Sequence, residues 1–282
     1  ITINGTTGNE TITGPNLSTT INGGDGDDNI VSGSQNDQIN GGDGDDTIDA
    51  GGGGDTLTGG AGDDVYMFDT GDVVSGESII ENATGGTDSI GITTTTNFTT
   101  MSDASFNEIE EIRFAGANQT GTFTGSQLTG ETINLTETAA GTSNLIIDVG
   151  SGTTATFANI SASTFSSGAD TVTINGSTGN ENITGPNLVS TILGGVGVDT
   201  IVAGTANDTI DGGDGADNLT GGVGDDVYLF DTGDVDSGES IIENVGEGTD
   251  VVAIVTSTDF SLMTAASIDE VEEIRFAGAN QT

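Results

Sequence analysis

Large apolar residues recur at every ninth position along two stretches of the chain. From Gly5 the sequence divides without a gap into seven nonapeptides, and from Gly176 into six more. The last three positions of each nonapeptide alternate polar, apolar, polar, which is the pattern of a short strand with one buried side chain. The apolar eighth positions are Ile12, Ile21, Ile30, Ile39, Ile48, Leu57 and Tyr66, then Ile183, Ile192, Ile201, Ile210, Leu219 and Tyr228. This regular phase predicts a repeated coil.

The first six positions of each nonapeptide predict a tight loop. Glycine dominates positions one to four, where it allows a positive φ. Position six is Asp28, Asp37, Asp46, Asp55, Asp64, Asp199, Asp208, Asp217 or Asp226 in nine of the units. Two loop and strand units make a flattened coil of 18 residues, and the stacked strands form parallel sheets. At position six the first two units of each copy carry other residues than aspartate, namely Glu10, Thr19, Glu181 and Ser190. We expect these units to form the same coil, with poor or absent metal sites.

The two stretches are copies of one larger unit. Residues 3–17 match residues 174–188 at an offset of 171, whereas residues 62–82 match 224–244 at an offset of 162. The second copy has therefore lost one nonapeptide. We expect this loss to move the loop that starts at Gly221 to the other side of the coil, beside Asp208, and to change the exit direction of the following segment by half a coil.

Five segments follow from this duplication. They are a first roll at 1–66, a post-roll β segment at 67–120, a calcium-poor β-solenoid connector at 121–172, a second roll at 173–228 and a second post-roll β segment at 229–282. Because the chain starts at Ile1 without a methionine, we expect it to be a piece of a longer tandem array.

Composition narrows the chemistry further. The 282 residues include 45 acidic and 2 basic ones, with no histidine and no cysteine, and the net charge is -43. The chain lacks the clustered basic residues that bind a nucleic-acid backbone. It also lacks the thiol and imidazole groups that serve as catalysts and as the usual zinc ligands. Hydrophobic content is 32%, which alone would suggest disorder, but the regular spacing argues against it. The carboxylate, hydroxyl and carbonyl oxygens that remain suit hard cations, chiefly calcium.

The loops resemble a known family of repeats. Units that begin GGxGxD start at Gly23, Gly41, Gly59, Gly194, Gly212 and Gly221, and they are similar to the repeats-in-toxin (RTX) nonapeptide GGxGxDxUx. The resemblance implies an all-β, right-handed parallel β-roll with several Ca²⁺ ions held by aspartates and loop carbonyls. The implied metal-site residues are Asp25, Asp28, Asp37, Asp43, Asp46, Asp55, Asp64, Asp199, Asp208, Asp214, Asp217 and Asp226, with Gly24, Gly26, Gly42, Gly44, Gly60, Gly62, Gly195, Gly197, Gly213, Gly215, Gly222 and Gly224.

Folding is expected to depend on calcium. One buried side chain for each nonapeptide contributes about 1.5 to 3 kcal/mol, whereas ordering each residue costs about 1 to 2 kcal/mol. A cation bound between successive loops offsets this deficit and the repulsion between stacked carboxylates. In the first copy we expect the row through Asp28, Asp46 and Asp64 to be better occupied than the row through Asp37 and Asp55.

The segments after each roll lack glycine loops and predict ordinary strands. In the first copy these lie near 78–81, 88–93 and 110–114, with a helical turn at 102–106, and the second copy should repeat them. Residues 243–250 also resemble segments that commonly follow RTX repeats.

The two arginines and the connector have structural interpretations. Arg113 and Arg275 are expected to pair with the neighbouring Glu110, Glu111, Glu272 or Glu273. Alternating apolar residues in 121–172 predict continued solenoid without calcium loops, and Asp170 is a candidate start of the next metal ladder.

Some residues of the chain also resemble motifs of other protein classes. Asp69 and Asp231 each begin an Asp-Thr-Gly triplet that resembles the paired motif of aspartic proteases, but the large duplication explains both. An EF-hand is excluded because Ile30 and Ile48 occupy the place of its glycine. The exposed loops repeat no rank of threonines suited to ice binding. Asn-x-Ser/Thr triplets leave glycosylation open.

The leading hypothesis is a non-enzymatic, calcium-binding structural module of a secreted bacterial surface protein: an adhesin, a surface layer or a filament. It would remain extended in the cytosol, leave by type I secretion and fold in extracellular calcium. Its expected partners are calcium and further copies of itself, without nucleic acid or membrane insertion. The alternative is a calcium-dependent C-terminal module of a secreted enzyme or toxin whose catalytic domain lies outside this sequence.

Overall fold

The protein is built almost wholly from short parallel strands. A computed structural model describes residues 1–81, 85–165, 170–243, 248–263, 268 and 270–277. The strands of the first copy are β1 (Thr2–Asn4), β2 (Thr11–Thr13), β3 (Thr20–Asp25), β4 (Asn29–Val31), β5 (Gln38–Asp43), β6 (Thr47–Asp49), β7 (Thr56–Ala61), β8 (Val65–Phe68), β9 (Ser78–Ile79), β10 (Ser89–Ile92), β11 (Thr96–Asn97) and β12 (Glu111–Phe114).

The connector and the second copy continue in the same way. Their strands are β13 (Thr120–Thr124), β14 (Asn134–Glu137), β15 (Asn144–Asp148), β16 (Thr154–Thr156), β17 (Ser161–Ala162), β18 (Thr171–Ser177), β19 (Asn182–Thr184), β20 (Ser190–Val196), β21 (Thr200–Gly204), β22 (Thr209–Asp214), β23 (Asn218–Gly222), β24 (Val227–Phe230), β25 (Ser240–Ile241), β26 (Val251–Ile254) and β27 (Glu273–Phe276). The predicted all-β solenoid is confirmed. No helix in the described part of the chain is long and apolar enough to cross a bilayer.

The chain forms two compact units. The first contains Ile1–Phe123, Glu131–Asn144 and Ala162–Asp170, and the second contains Thr124–Gly130, Leu145–Ser161 and Thr171–Thr282.

In the first unit the roll consists of two parallel sheets that take alternate strands. One sheet runs β1, β3, β5, β7, β9, and the other includes β2, β4, β6, β8, β10, β12, β14. Ile21 pairs with Ile39, and Ile39 with Leu57, so one coil takes 18 residues. These side chains and Tyr66 are buried. The nine-residue phase therefore places its apolar positions in the core, as predicted.

Two loop glycines show why the coils can stack so closely. Gly42 and Gly44 both have a φ of 128°, in the left-handed region. A Cβ on Gly42 would overlap the carbonyl oxygen of Gly24, and one on Gly44 would lie 2.5 Å from the carbonyl carbon of Gly26. Glycine is required at these positions for its φ and for the close approach of the neighbouring backbone.

The post-roll segment of the first unit continues the coil with longer turns. Leu57 pairs with Ile79, Tyr66 with Ile90, and Ile90 with Ile112. The predicted strands appear as β9, β10 and β12, and the predicted helical turn is a 3-10 turn at Asp103–Ser105. Phe98 fills the wider coil by stacking on Phe123, with ring centroids 4.6 Å apart.

The second unit repeats the roll with a shift of half a coil. One sheet includes β18, β20, β22, β24, β26 and β27, and the other runs β16, β19, β21, β23, β25. In the first unit β2 and β8 share a sheet, whereas their counterparts β19 and β24 lie in opposite sheets. The Asp208 N–H donates to the Asp226 carboxylate at 2.7 Å, so the predicted move of the Gly221 loop beside Asp208 is confirmed.

Several expectations for the second post-roll segment fall outside the described residues. These include residues 244–247 of the RTX-like segment 243–250, residues 264–267 of the expected helical turn, and the chain end at 278–282. A 3-10 turn is present at Phe260–Leu262.

The connector contains a short helix that the strand pattern did not predict. Helix α1 spans Gly125–Leu128. The Thr124 hydroxyl accepts the Gln127 N–H at 3.4 Å, and the Gln127 side-chain oxygen accepts the Thr124 N–H at 2.8 Å. This reciprocal capping favours one helical turn, and the Thr-x-x-Gln spacing is its sequence signal.

Candidate metal centre

The position-six aspartates form a continuous ladder along one side of the first roll. The N–H of Asp28 donates to Oδ1 of Asp46 at 2.8 Å, and the N–H of Asp46 donates to Oδ1 of Asp64 at 2.8 Å. Glu10 begins the ladder, because its N–H donates to Oδ1 of Asp28 at 2.8 Å. Each carboxylate therefore holds the backbone of the preceding coil through one oxygen.

A second ladder runs along the other side of the first roll. The N–H of Thr19 donates to Oδ1 of Asp37 at 2.7 Å, and that of Asp37 donates to Oδ1 of Asp55 at 2.7 Å. Thr19 thus continues the coil without providing a carboxylate. The coil expected at Glu10 and Thr19 is confirmed.

The second unit contains the same two ladders. Glu181, Asp199 and Asp217 are linked by N–H to Oδ1 bonds of 2.7 and 2.8 Å. Ser190 and Asp208 are linked by a bond of 2.7 Å, and the ladder continues to Asp226.

The other oxygen of most of these carboxylates has no protein partner. Within the described part of the chain, Oδ2 is buried without a hydrogen bond in Asp28, Asp46, Asp55, Asp64, Asp199, Asp208, Asp217 and Asp226. A buried carboxylate oxygen without a donor is costly. Asp37 differs, because its Oδ2 accepts the hydroxyl of Ser32. Repetition of one unsatisfied atom at the same position indicates a ligand rather than a packing fault.

A backbone carbonyl reaches the same place as the unpartnered oxygen. A Cβ built on Gly41 would overlap Oδ2 of Asp46 and would lie 2.7 Å from the carbonyl oxygen of Gly59. Gly194 has the same surroundings, with Oδ2 of Asp199 at 2.7 Å from such a Cβ and the Gly212 carbonyl beside it. Side-chain and backbone oxygens therefore converge where glycine leaves room. Calcium prefers this mixture of carboxylate and carbonyl ligands, so the residues fit the ion.

The structure places the other predicted site residues in the loops. Asp25 pairs in register with Asp43, and both side chains are exposed, as is that of Asp214. The predicted loop glycines at the second and fourth positions all have positive φ: Gly24, Gly26, Gly42, Gly44, Gly60, Gly62, Gly195, Gly197, Gly213, Gly215, Gly222 and Gly224. The structure thus separates the predicted aspartates into a buried position-six set and an exposed position-three set.

Burial raises the pKa of several ladder carboxyls in the absence of an ion. It raises the pKa of Asp64 and Asp208 to about 7, and that of Asp46 and Asp55 to about 6. Backbone N–H bonds pull each pKa down, and neighbouring carboxylates raise it further. A cation bound at the ladder would favour the ionised carboxylates and so lower these pKa values.

Neither arginine provides this neutralising charge. Arg113 pairs with Glu111 at 2.9 Å, and Arg275 pairs with Glu273 at 3.0 Å. The predicted arginine pairs are confirmed for these two glutamates, whereas Glu110 accepts the N–H of Asp88 at 2.8 Å. The ladders must therefore be neutralised by protons or by cations from solution.

Both ladders of the first unit extend beyond the nonapeptides, which the sequence reasoning missed. Asp64 donates its N–H to Oδ1 of Asp88 at 3.0 Å, and Asp55 donates its N–H to Oε2 of Glu77 at 3.0 Å. In the second unit Asp250 and Glu239 take the same places. The sequence does contain a signal for these ladder positions: an acidic residue stands two positions before a buried apolar residue, as Glu77 does before Ile79.

Ser143 and Asp170 form a similar contact in the connector. The N–H of Ser143 donates to Oδ1 of Asp170 at 2.8 Å, and both residues are buried. A metal role for Asp170 stays a prediction.

A protein-family model matches the same loops. The model for the RTX calcium-binding nonapeptide repeat, which spans four copies, matches residues 20–39, 40–74 and 193–228. The chain contains RTX calcium-binding nonapeptide repeats. These RTX repeats bind calcium ions and are typical of secreted proteins that leave bacteria by type I secretion. None of the curated proteins searched matches the chain significantly.

Proposed function

We propose that this chain is a non-enzymatic structural module of an extracellular bacterial repeat protein, such as an adhesin, a surface layer or a filament. The observation that carries the proposal is the row of buried Asp Oδ2 atoms without protein donors, repeated in both rolls. A catalytic site needs one specific constellation, whereas these carboxylates repeat along the fold. Repetition of this kind serves stability and extension.

The chain's own residues divide the work of calcium-dependent folding. Position-six aspartates hold successive coils with Oδ1 and present Oδ2 to the ion, and the loop glycines bring backbone carbonyls beside it. Bound calcium supplies positive charge that neutralises the stacked carboxylates. Asp28, Asp46, Asp64, Asp199, Asp208, Asp217 and Asp226 are the proposed principal ligands, with Asp37 and Asp55 in the weaker row of the first roll.

The proposed partners are further copies of the same module. Coils of a solenoid contact mainly their neighbours, so modules can be added in series. In the first unit Ile112 and Phe114 of β12 are buried, whereas their counterparts Ile274 and Phe276 of β27 are each 58% exposed. An exposed apolar strand is a surface suited to association.

Electron microscopy of the producing cells tests the proposed location. Antibody against this chain should label the cell surface or extracellular fibres, and washing with EDTA should remove or disorder the labelled material. Labelling confined to the cytoplasm would contradict the proposal. A catalytic domain encoded upstream in the same gene would favour the enzyme or toxin module instead.

A further inference from the structure

A cluster of three carboxylates lies at the end of the first roll, on the ladder that runs through Asp28 and Asp46. One carboxylate oxygen from each of Asp64, Glu81 and Asp88 lies within 4.8 Å of the other two. Calcium binds oxygen at about 2.3 to 2.6 Å, so ligands on opposite sides of one ion lie roughly 5 Å apart. The three oxygens are therefore close enough to share one ion. Glu81 and Asp88 lie beyond the residues that the family model matches.

A buried oxygen without a hydrogen bond independently indicates a ligand at this cluster. Asp64 is 0% exposed, and within the described residues its Oδ2 has no hydrogen-bond donor. A Cβ on Gly59 would overlap this Oδ2, and the Gly59 N–H donates to Oε1 of Glu81 at 3.1 Å. Oδ2 of Asp64 and Oε1 of Glu81 therefore both lie beside Gly59.

Protein donors hold Glu81 in position. In addition to the Gly59 N–H, the buried hydroxyl of Tyr66 donates to Oε1 of Glu81. Asp88 is fixed as well, because its Oδ1 accepts the Asp64 N–H at 3.0 Å. The cluster is therefore built from positioned side chains on the last coil of the roll and on the segment that follows it.

The second unit repeats the same hydrogen bonds. The Gly221 N–H donates to Oε1 of Glu243 at 2.9 Å, and the Tyr228 hydroxyl donates to the same oxygen. The Asp226 N–H donates to Oδ1 of Asp250 at 2.9 Å. Asp226 is 0% exposed, and its Oδ2 has no donor within the described residues. The arrangement therefore accompanies the end of each roll, even though the second roll is shifted by half a coil.

We propose that Asp64, Glu81 and Asp88 form a closing calcium site outside the RTX loops, and that Asp226, Glu243 and Asp250 form its counterpart. Carboxylate oxygens are the only ligands that these side chains offer, so the site takes a hard divalent cation. The ion would link Asp64, directly before β8, to Glu81, two residues after β9, and to Asp88, directly before β10. The proposal extends the calcium-dependent folding proposed above to the segment that follows each roll.

Terbium luminescence tests this site, because Tb³⁺ replaces calcium at oxygen sites and is excited through a nearby tyrosine. The chain has two tyrosines and no tryptophan, so Y228F leaves Tyr66 as the main sensitiser. In that background we expect E81Q to lose much of the emission and to bind one ion fewer. The matched variant E243Q makes the same change in the other copy and should leave the Tyr66 emission unchanged.

Emission and an ion count in E81Q equal to those of the Y228F parent would overturn the closing site. Far-UV circular dichroism in calcium shows whether E81Q folds. If it does not, crystals of the unmodified chain grown with Tb³⁺ decide the matter: an anomalous peak among Asp64, Glu81 and Asp88 is expected, and its absence overturns the proposal. Either negative result leaves calcium-dependent folding of the loops intact. Full β-structure in EDTA at pH 8 would contradict calcium-dependent folding but not the closing site.

Discussion

At the scale of single residues, the position-six aspartate has two separate tasks. Its Oδ1 accepts a backbone N–H from the preceding coil. Within the described residues its Oδ2 is buried without a protein donor, except in Asp37, and this oxygen is the one that we propose binds the ion. The sequence was sufficient to place these aspartates on successive loops of the coil, because they occupy one fixed position of the nonapeptide. It was not sufficient to separate them from Asp25 and Asp43, whose exposure depends on how the loops stack.

The substitution D46N tests the charge of the ladder while it retains an oxygen acceptor. We expect the calcium midpoint of folding to rise and stability at fixed calcium to fall by roughly 1 to 3 kcal/mol, the typical cost of disturbing a buried polar group. The control D45N changes the adjacent, exposed carboxylate, which also accepts a backbone N–H, from Asp63 at 2.9 Å. Circular dichroism titrations should separate the variants, and equal midpoints would contradict a ligand role for Asp46.

At the scale of elements, the unit of construction is the coil rather than the strand. Within the rolls each coil takes 18 residues, and the apolar phase predicted its register correctly. Beyond the rolls, the pairing of Leu57 with Ile79 spans 22 residues and that of Tyr66 with Ile90 spans 24. No fixed period predicts these longer turns, which depend on side chains such as Phe98 that fill the wider coil. The ladder positions of Glu77 and Asp88 were missed for this reason.

Deletion of a complete coil tests this modular construction. Removing residues 32–49 takes out two whole nonapeptides and rejoins the chain in phase, so every remaining loop stays on its own side. We expect calcium-dependent folding to persist with fewer bound ions and a lower melting temperature, because each coil interacts mainly with its neighbours.

Removal of residues 32–44 provides the control. It rejoins the chain out of phase, which places a loop where the sheet requires a strand. This variant should lose the cooperative transition. Equal melting curves for the two deletions would show that the nine-residue phase does not specify the coil.

At the scale of the whole molecule, the net charge of -43 belongs to a chain without bound ions. Much of it lies in ladders whose carboxylates stack one coil apart with few protein cations nearby. Composition alone pointed toward disorder, whereas the repeat phase pointed toward a solenoid that requires calcium. Under the proposed calcium-dependent folding, the first description applies to the metal-free chain and the second to the calcium-bound chain.

The metal-free protein should become more stable as the pH falls. Burial raises the pKa of Glu77 to about 8 and that of Asp64 to about 7, compared with about 4 in an unfolded chain. The folded state therefore binds more protons. The stability that these two groups contribute is fully present below about pH 4 and is lost progressively as the pH rises from there through about 7 to 8.

Urea unfolding in EDTA across this pH range measures the effect. We expect the midpoint to fall with rising pH, and the gap between EDTA and calcium samples to widen, because calcium needs the ionised carboxylates. A metal-free midpoint that rises with pH would show that the ladders are ionised in the folded chain.

The central claim is that calcium completes this fold, and a far-UV circular dichroism titration of the whole chain tests it most directly. The chain is first stripped with EDTA at pH 8, where the ladders should be ionised in the unfolded state, and calcium is then added stepwise. The account predicts a largely unfolded spectrum in EDTA and a cooperative gain of β-structure with calcium, but not with sodium at equal ionic strength. A full β spectrum in EDTA, unchanged by calcium, would contradict it.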